Sequence, residues 1–554
     1  MPERWRAAVR VGTRVRVPFH GRRVGAWVVE TGVDPPAGVA VLDITGISGF
    51  GPPPAVLALA EWAAWRWVMP VATLLRTASP ERNVWELPAA PRARYDPAPD
   101  HGPAPDHGPA PDHGPAQDPG PAARAAARAG DAVELRRVAP AQDLLPLVLD
   151  AVAHADGPVL VLVPGTGWAE RLADRLRRRG VEVASSWAEA AAGWPVVVGS
   201  RAAAWAPVPR LAAAVVLDAH DYRDRYDATE VVAARAAADG APCVLVSPCP
   251  TAVQVATYGP LLAPPRAVER SGWAVLTVAD RRGADPRTGL LSGELVQLAR
   301  RVLPGRLVCV LNRTGRAKLL ACATCGGLAR CERCGRAVES TGDVLRCRGC
   351  GIERPAACAE CGSFRLKVLR QGVSRVREEL AALLGTEVGE VSGETDAVPD
   401  APVLIGTEAV LHRVRRAAAV AFLDFDQHLL ASRFSAGEQA LALLARASRL
   451  VGGRDEPGAG TVMVQTRLPE HDVLRAAVAG DPGLATELEL RRALDLPPFS
   501  ALATVRSLEA PDLEGAEVAP LGPERWLVRA KDHAALSDAL ATLRGGVRVD
   551  PDDV

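Results

Sequence analysis

Residues 322–361 read CATCGGLARCERCGRAVESTGDVLRCRGCGIERPAACAEC, and this run contains four Cys-x-x-Cys pairs, each followed by a glycine. A Cys-x-x-Cys turn holds two thiolates at the separation that tetrahedral Zn²⁺ requires, so two turns complete one closed site of four cysteines. The segment therefore predicts two zinc sites, and their ligands are Cys322, Cys325, Cys331, Cys334, Cys347, Cys350, Cys358 and Cys361.

Disulfides and redox-active thiols are the alternatives to zinc. Disulfide frameworks are typical of short secreted chains, whereas this chain has 554 residues and shows no apolar signal segment after Met1. No further Cys-x-x-Cys pair remains to act as a resolving partner, and Cys243, Cys249 and Cys309 stand in apolar contexts typical of buried positions. Whether neighbouring pairs or nested pairs share a site is left open by the spacing.

Composition predicts a multidomain protein with real cores and no membrane span. Hydrophobic residues make up 48% of the chain, but no stretch of eighteen apolar residues is free of charge. Basic and acidic residues balance at 65 each, yet residues 301–377 hold sixteen basic against five acidic residues, and residues 1–30 hold seven against two. Local basic patches of this kind indicate contact with a phosphate backbone, although a solvated basic face is the alternative.

Lysine is rare: only Lys318, Lys367 and Lys531 are present, and arginine supplies nearly all positive charge. Together with abundant Ala, Gly and Pro, this bias is typical of a bacterial genome of high GC content.

The sequence pattern differs between successive segments of the chain. Residues 11–30 predict two strands joined by a turn at His20-Gly21, and Pro54–Trp67 has the spacing of a helix. Between Tyr95 and Pro121 the hexamer PDHGPA occurs three times, which indicates a semi-extended linker. The repeated histidines could chelate metal, but duplication of a short repeat explains them better; they are His101, His107 and His113.

From about Asp131 onward, short apolar strands alternate with Ala- and Arg-rich helices, which predicts two parallel sheets covered on both faces. The first set of predicted strands is Pro158–Val163, Pro195–Val198, Ala214–Leu217 and Pro242–Val246. The second set is Arg306–Val310, Thr386–Val391, Pro402–Ile405, Ala419–Leu423 and Thr461–Gln465, and the cysteine segment interrupts it after its first strand. Residues 501–554 predict a small α/β domain with a helix at Asp532–Leu543.

Tandem α/β sheets with this insertion resemble the PriA family of superfamily-2 helicases, the primosomal replication-restart proteins. The resemblance covers most of the chain and follows the family's order through Leu311–Arg316, Glu394–Asp396, Ile405–Glu408, Phe422–Asp426, Val464–His471, Glu489–Arg492 and Leu496–Phe499. Gly12–Phe19 resembles the module that holds the 3′ end of a nascent strand. Because that module starts earlier in the family, either the module is truncated at its start or the start codon is assigned too late, and we expect the late assignment.

The resemblance implies a fold of class α/β: two tandem RecA-like parallel-sheet lobes, a double-zinc module inserted in the second, a small β-rich N-terminal DNA-binding domain and a small C-terminal α/β domain. The expected boundaries are 1–92, a linker at 93–130, lobes at 131–260 and 261–475 with the zinc module at 318–366, and 476–554. It also implies nested zinc pairing. Cys322, Cys325, Cys358 and Cys361 would form the outer site, and Cys331, Cys334, Cys347 and Cys350 the inner one.

The motor motifs depart from the family. A phosphate-binding loop needs glycines, a lysine and a Ser or Thr, but Val138–Leu144 has none of these. The acidic box is reduced to Leu217–Asp221, the coupling motif reads Ser247-Pro248-Cys249, and Arg446–Arg454 is out of step with the arginine-finger pattern. We therefore expect no ATP hydrolysis and no enzymatic activity.

The leading hypothesis is a cytoplasmic, nucleoid-associated replication-restart factor that recognises stalled forks and promotes primosome assembly without unwinding. The resemblance implies forked DNA, single-stranded-DNA-binding protein and primosome or replicative-helicase components as partners. Candidate DNA contacts are Arg14, Arg16, Arg22, Arg23, Arg313, Arg316, Arg346 and Arg348. The alternatives are an active 3′–5′ helicase and a zinc-ribbon protein that binds RNA or polymerase.

Overall fold

The computed structural model describes residues 5, 8–34, 41–91, 95, 133–284, 289–311, 320–333, 335–347, 351–368, 373–392, 395, 397–431, 433–481, 484–543 and 545–550. Within these residues there are two six-stranded parallel sheets and four smaller antiparallel sheets. The repeated hexamers, and with them His101, His107 and His113, lie outside the described residues.

An antiparallel sheet of order β2-β1-β3 begins the fold, with β1 at Arg14–Phe19, β2 at Arg22–Trp27 and β3 at Gly46–Ile47. The predicted turn is confirmed: both His20 (φ 45°) and Gly21 (φ 73°) are left-handed, as the two central residues of a tight hairpin turn require. Helices α1 (Pro54–Arg66) and α2 (Val71–Ala78) follow, and α1 matches the predicted helix.

The first parallel sheet, called lobe 1 with its helices, has the strand order β6-β5-β7-β8-β4-β9. Its strands are β4 (Val133–Arg137), β5 (Val159–Leu162), β6 (Val196–Gly199), β7 (Ala213–Leu217), β8 (Cys243–Ser247) and β9 (Leu261–Leu262). Its helices are α3 (Leu145–His154), α4 (Thr166–Arg177), α5 (Trp187–Ala191), α6 (Ala228–Asp239) and α7 (Ala252–Tyr258). The four predicted strands are confirmed to within two residues at each end.

The second parallel sheet, called lobe 2, has the order β10-β20-β19-β11-β18-β17. Its strands are β10 (Val275–Asp280), β11 (Leu307–Val310), β17 (Val388–Val391), β18 (Val403–Gly406), β19 (Ala419–Phe422) and β20 (Thr461–Thr466). Its helices are α8 (Arg266–Ser271), α9 (Gly293–Val302), α10 (Val373–Leu384), α11 (Ala409–Arg413), α12 (Asp426–Leu429), α13 (Ala436–Val451) and α14 (Asp472–Ala479). All five predicted strands are confirmed.

The cysteine segment lies between β11 and α10 and builds two small sheets. One pairs β12 (Leu320–Cys322) with β16 (Leu366–Val368), and the other has the order β13-β14-β15, with strands at Val338–Thr341, Val344–Cys347 and Glu353–Pro355. After helix α15 (Leu484–Ala493), a four-stranded sheet of order β22-β23-β21-β24 completes the chain. Its strands are β21 (Ala501–Arg506), β22 (Glu517–Gly522), β23 (Arg525–Ala530) and β24 (Val547–Val549), and helix α16 (His533–Leu540) packs on it.

The sheet of lobe 1 separates two hydrophobic cores, because alternate residues of its strands face opposite sides of the sheet. On one side, Val161 packs in a core with residues of α3 and α4. On the other, Leu160 and Leu162 join a core that also contains residues of α1, α2, α6 and the C-terminal sheet. The first helices, lobe 1 and the last sheet therefore share one continuous apolar interior.

Candidate metal centre and the cleft between the lobes

Four cysteine sulfur atoms converge at the root of the inserted segment. The Sγ atoms of Cys322 and Cys361 are 3.6 Å apart, those of Cys325 and Cys358 are 3.5 Å apart, and all four lie within 4.8 Å of one another. Tetrahedral zinc with bonds of about 2.3 Å places neighbouring sulfur atoms roughly 3.8 Å apart. These four cysteines, which the family resemblance implies as the outer site, could therefore hold one metal ion.

Local backbone geometry explains why the thiols converge. Strands β12 and β16 pair Cys322 with Leu366, which brings the start and the end of the insertion together. The N–H of Gly326 donates to the carbonyl of Cys322, and that of Gly362 donates to the carbonyl of Cys358, each at 2.9 Å. Both glycines have a left-handed φ, which residues with a Cβ rarely adopt, so each Cys-x-x-Cys turn needs the glycine after it.

The inner pairs share this turn geometry. Gly335 donates its N–H to the carbonyl of Cys331 at 2.8 Å, and Gly351 donates to Cys347 at 2.9 Å, again with left-handed φ at both glycines. Cys331 and Cys347 are buried in one apolar cluster, and the hairpin of β13 and β14 lies between the two pairs. The remaining predicted ligands, Cys334 and Cys350, lie outside the described residues.

The inserted segment packs on lobe 2. Ala337 donates its N–H to the carbonyl of Leu430 at 3.2 Å, and the two side chains share an apolar contact with Leu328 and Leu468. Of the basic residues predicted here, Arg346 lies on β14 with half of its side chain exposed, 3.6 Å from Glu353. Arg313, Arg316 and Arg348 lie outside the described residues.

The four basic residues of the first hairpin do not have equal access to solvent. Arg16 and Arg23 are exposed and, by strand register, lie on the same face of the hairpin. Arg22 is exposed opposite Phe19. Arg14 instead donates to the carbonyl of Pro80 at 2.9 Å, so part of its guanidinium is used to hold the hairpin against the following segment.

All four remnants of the motor motifs meet in the cleft between the lobes. Arg446 and Arg449 lie one turn apart on α13 of lobe 2 and point at the end of β7 in lobe 1. Arg449 donates two hydrogen bonds to the carboxylate of Asp218, of 2.5 Å and 2.9 Å. Arg446 donates to Asp221 at 2.7 Å and to Asp218 at 3.3 Å.

The same arginines have further partners. The Nε of Arg449 donates to the carbonyl of Pro140, in the segment that stands where a phosphate-binding loop would be, at 2.9 Å. Its guanidinium also lies over the ring of Trp168, 4.9 Å from the ring centre. Arg446 lies 3.0 Å from the Nδ1 of His412.

The segment Val138–Leu144 uses its own polar groups within the protein. Val138 donates its N–H to Ser247, Ala141 to Gly272 and Gln142 to Ala139. Asp143 accepts the N–H of Leu145 at the start of α3, where helix geometry favours an anion, and pairs with Arg175 at 2.6 Å. These backbone donors are therefore engaged and not free to surround a phosphate.

The acidic and coupling remnants contact each other within lobe 1. The Nδ1 of His220 lies 2.7 Å from the Oγ of Ser247, which also accepts the N–H of Cys249 at 3.0 Å. Burial lowers the pKa of His220, so the neutral ring is favoured at this position.

The charged groups in the cleft shift one another's pKa values. Burial alone would raise the pKa of Asp218, but the facing guanidinium of Arg449 and the charge of Arg446 hold it well below its usual range. Burial would lower the pKa of Arg449, but the facing Asp218 carboxylate outweighs burial and raises that pKa. Burial, and then Arg446, lowers the pKa of His412 to about 4. At neutral pH the cleft contains an ionised carboxylate paired with two guanidinium groups.

Sequence reasoning did not assign Arg446 and Arg449 to this contact. Their spacing of three residues within a helical pattern places both on one face of α13, and that was the available signal. A second contact between the lobes was also missed. Glu438, at the start of α13, accepts the N–H of Ala252 at 2.7 Å and pairs with Arg491 at 2.8 Å.

No helix among the described residues is both long and apolar enough to cross a bilayer.

Comparisons with known proteins agree with the family resemblance. A family model for a 3′ DNA-binding domain (3′BD) of PriA matches residues 1–80. The chain is similar to proteins named replication restart protein PriA from Haemophilus influenzae (26% identity, covering 65% of this chain and 55% of the relative), Synechocystis sp. (26%, 63% and 49%) and Bacillus subtilis (28%, 56% and 43%). The chain thus spans about half the length of the curated relatives it matches.

Proposed function

Since this chain is a member of the PriA family of replication-restart proteins, we propose that it is a DNA-binding factor that recognises stalled or abandoned forks and promotes replication restart without unwinding DNA. The observation that carries the proposal is the combination of a 3′ DNA-binding module with a cleft whose arginines are paired with Asp218. The name of the relatives supports a role in replication restart, and the pairing of the cleft arginines with Asp218 supports the absence of a motor.

DNA contact is proposed for the first hairpin and the zinc module. Arg16 and Arg23 share one exposed face, which is the arrangement that two neighbouring phosphates of a strand would require. Phe19, 60% exposed, lies on the opposite face beside Arg22 and offers an aromatic surface on which a base could stack. Arg346 would add a phosphate contact from the zinc module.

Two structural zinc ions are proposed for the inserted module. The outer cluster supplies four thiols and leaves no position for water, which is typical of a structural site. The inner site is inferred because Cys331 and Cys347 make the same glycine-closed turns as the outer cysteines. The zinc ions would fix the module's shape, and the protein's own contacts between Ala337 and Leu430 would orient it on lobe 2.

The absence of a motor rests on the groups that phosphoryl transfer needs. A cation must reach the β- and γ-phosphates, a carboxylate must hold Mg²⁺ and a donor cradle must surround the phosphates. No lysine precedes Lys318. Asp218, one of the two carboxylates in the remnant of the acidic box, is paired with arginines of the other lobe, and the N–H of Ala141 is bonded within the protein.

The domain boundaries, the partners and the location in the cell are part of the same proposal. We assign residues 1–92 to DNA binding, 93–130 to a linker, 131–260 and 261–475 to the two lobes with the zinc module at 318–366, and 476–554 to the last domain. Single-stranded-DNA-binding protein and components that load the replicative helicase are the proposed partners, in the cytoplasm at the nucleoid.

A fork-binding experiment with a phosphate-release readout tests this function. Purified protein should bind a three-way fork more tightly than duplex of the same length, with or without ATP, and should release no phosphate above background when the fork is added. Equal affinity for fork and duplex contradicts fork recognition. DNA-stimulated phosphate release that is lost in Asp218→Ala would restore the motor.

A further inference from the structure

We propose that the two lobes are held closed by the protein's own carboxylates, which occupy the positions where an anionic nucleotide would otherwise bridge them. The inference rests on the absence of a motor in the proposed function and deepens it. It assigns Asp218 as an internal ligand of Arg446 and Arg449, so that the lobes form one rigid platform whether or not nucleotide is present.

The first support is the geometry of the contact. Asp218 is only 2% exposed, and both of its carboxylate oxygens accept from Arg449 in a two-pronged arrangement, the form in which a guanidinium binds carboxylate or phosphate most specifically. Arg446 adds a third donor to the same carboxylate and links it to Asp221. Two arginines of lobe 2 therefore bind two carboxylates of lobe 1.

The second support is the backbone of Asp218. Its φ is +51°, a left-handed conformation that is uncommon for a residue with a side chain. Tyr222 packs beneath this turn and donates its hydroxyl hydrogen to the carbonyl of Leu217 at 2.8 Å. The turn therefore directs the Asp218 carboxylate toward lobe 2, and the hydrogen bond from Tyr222 to Leu217 stabilises the turn.

The third support is that the opposite end of the cleft follows the same pattern. Asp143 accepts the N–H of Leu145 at the start of α3 and pairs with Arg175 of α4, so an internal carboxylate also stands at the helix start where a phosphate would be bound. Between the two carboxylates, the carbonyl of Pro140 accepts from Arg449 and the N–H of Ala141 donates to Gly272. Contacts within the chain therefore engage Asp218, Pro140 and Asp143 at three points along this part of the structure.

The fourth support is a contact beside the arginines that acts in the same direction. Glu438 of α13 accepts the N–H of Ala252 at the start of α7, and Arg491 of α15 pairs with Glu438. Helix α13 therefore meets lobe 1 at both of its ends, through Glu438 near its start and Arg449 near its end. A single helix fastened at two points resists the hinge motion by which nucleotide-driven lobes open and close.

The consequence is mechanical. In a nucleotide-driven pair of lobes, binding and hydrolysis change the relative position of the lobes. Here the attraction between Asp218 and the two arginines needs no ligand, so the positions of the DNA-binding hairpin and the zinc module relative to each other would not change with nucleotide.

The test compares full-length, zinc-loaded protein with variants on each side of the contact. Asp218→Asn/Asp221→Asn removes the lobe 1 charges, and Arg446→Gln/Arg449→Gln removes those of lobe 2. Asp174→Asn is the matched control, because it breaks an exposed ion pair with Arg177 inside α4. Small-angle scattering gives the radius of gyration, and hydrogen exchange reports on residues 138–144 and 446–451.

We expect wild type and Asp174→Asn to show the same radius of gyration with and without a non-hydrolysable ATP analogue. Both cleft variants should have a larger radius and exchange at least about tenfold faster in these two segments. Cleft variants that stay as compact as wild type, with unchanged exchange, overturn the proposal, as does a wild-type radius that shrinks on addition of the analogue.

Inorganic phosphate provides an independent readout that does not require the lobes to open. In Asp218→Asn the two arginines lose their internal anion, so phosphate should raise the melting temperature of this variant and leave that of Asp174→Asn unchanged. An equal phosphate response in the two proteins contradicts the internal-ligand assignment. Fork binding measured on the same samples separates the two proposals, since the contact between Asp218 and the two arginines can fail to hold the lobes together while fork recognition and the absence of phosphate release remain intact.

Discussion

Arg66 and Asp550 are separated by 484 positions in the chain, and their side chains meet at 3.1 Å in the interior between the first helix and the last sheet. Glu230 of lobe 1 completes the cluster with two hydrogen bonds to Arg66, of 2.7 Å and 3.0 Å. Burial depresses the pKa of Arg66, but the charges of Glu230 and Asp550 outweigh it and raise that pKa. One buried guanidinium thus joins three parts of the chain.

Replacing Arg66 by Met should destabilise the protein by about 3–5 kcal/mol, because two carboxylates lose their shared partner in a buried place. Chemical unfolding followed by circular dichroism measures the change. Arg76→Met is the control, since Arg76 is exposed on α2 and its loss should cost less than about 0.5 kcal/mol. Equal unfolding midpoints for the two variants would show that the cluster contributes no more than a surface charge.

Zinc content should be two ions per chain, and Cys322→Ser and Cys347→Ser should each lose one, because the proposed pairing places them in different sites. Elemental analysis of protein purified without added metal gives the count. Cys243→Ala keeps both ions in this scheme, since Cys243 is buried in lobe 1, away from the inserted module. A wild-type content of zero or four ions refutes the two-site assignment, and loss of both ions in Cys347→Ser would mean that the sites do not form separately.

Affinity for fork DNA should fall steeply with salt, because binding of arginines to phosphates releases counterions. If Arg16 and Arg23 each contact one phosphate, Arg16→Gln/Arg23→Gln should reduce the magnitude of the logarithmic salt slope by about 2. Arg178→Gln, an exposed change on lobe 1, should leave the slope unchanged. Titrations by fluorescence anisotropy at several salt concentrations provide the slopes, and a slope in the double variant equal to that of wild type rules out the hairpin contact.

Stability should depend on pH through Asp424. Burial, and then the neighbouring charge of Asp426, raises the pKa of Asp424 from 3.8 to about 6. Because the folded state binds its proton more tightly than the unfolded chain does, this group contributes stability at pH 4 that is lost as the pH rises through 6. Relative to Asp424→Asn, the wild type should lose roughly 1 kcal/mol between pH 5 and pH 7.5.

Urea unfolding of the two proteins at pH 5, 6 and 7.5 measures this difference. Asp512→Asn, the same substitution at an exposed position, is the control. A constant difference between wild type and Asp424→Asn would show that the carboxyl titrates at its ordinary pKa.

Local features of the fold could be predicted from sequence because their causes are local. Each Cys-x-x-Cys-Gly repeat determines its own turn over five residues, and His20-Gly21 determines a hairpin over two. Strands such as β5 and β7 are apolar at every position, which only burial on both faces explains. Strands β4 and β10 were missed because their sequences, VELRR and VLTVAD, are not continuously apolar: β4 carries charged residues that are partly buried, and β10 alternates between exposed and less exposed positions.

Long-range contacts could not be predicted in the same way. Nothing near Arg449 in sequence indicates that its partner is Asp218, because the pairing depends on how two separately folded sheets face each other. The arginine spacing suggested a helix face but not what lies opposite. The same holds for Arg66, whose two acidic partners lie in different parts of the chain.

The interior shared by α1, lobe 1 and the final sheet affects how the protein is made. Arg66 emerges from the ribosome early, yet Asp550 follows only after 484 further positions have been translated. At about 5–20 residues per second, this takes roughly 25–100 s. Throughout that interval the apolar face of α1 lacks the C-terminal residues with which it shares its core. We expect the newly synthesised chain to depend on chaperones during this period, and truncation before residue 501 to leave an aggregation-prone product.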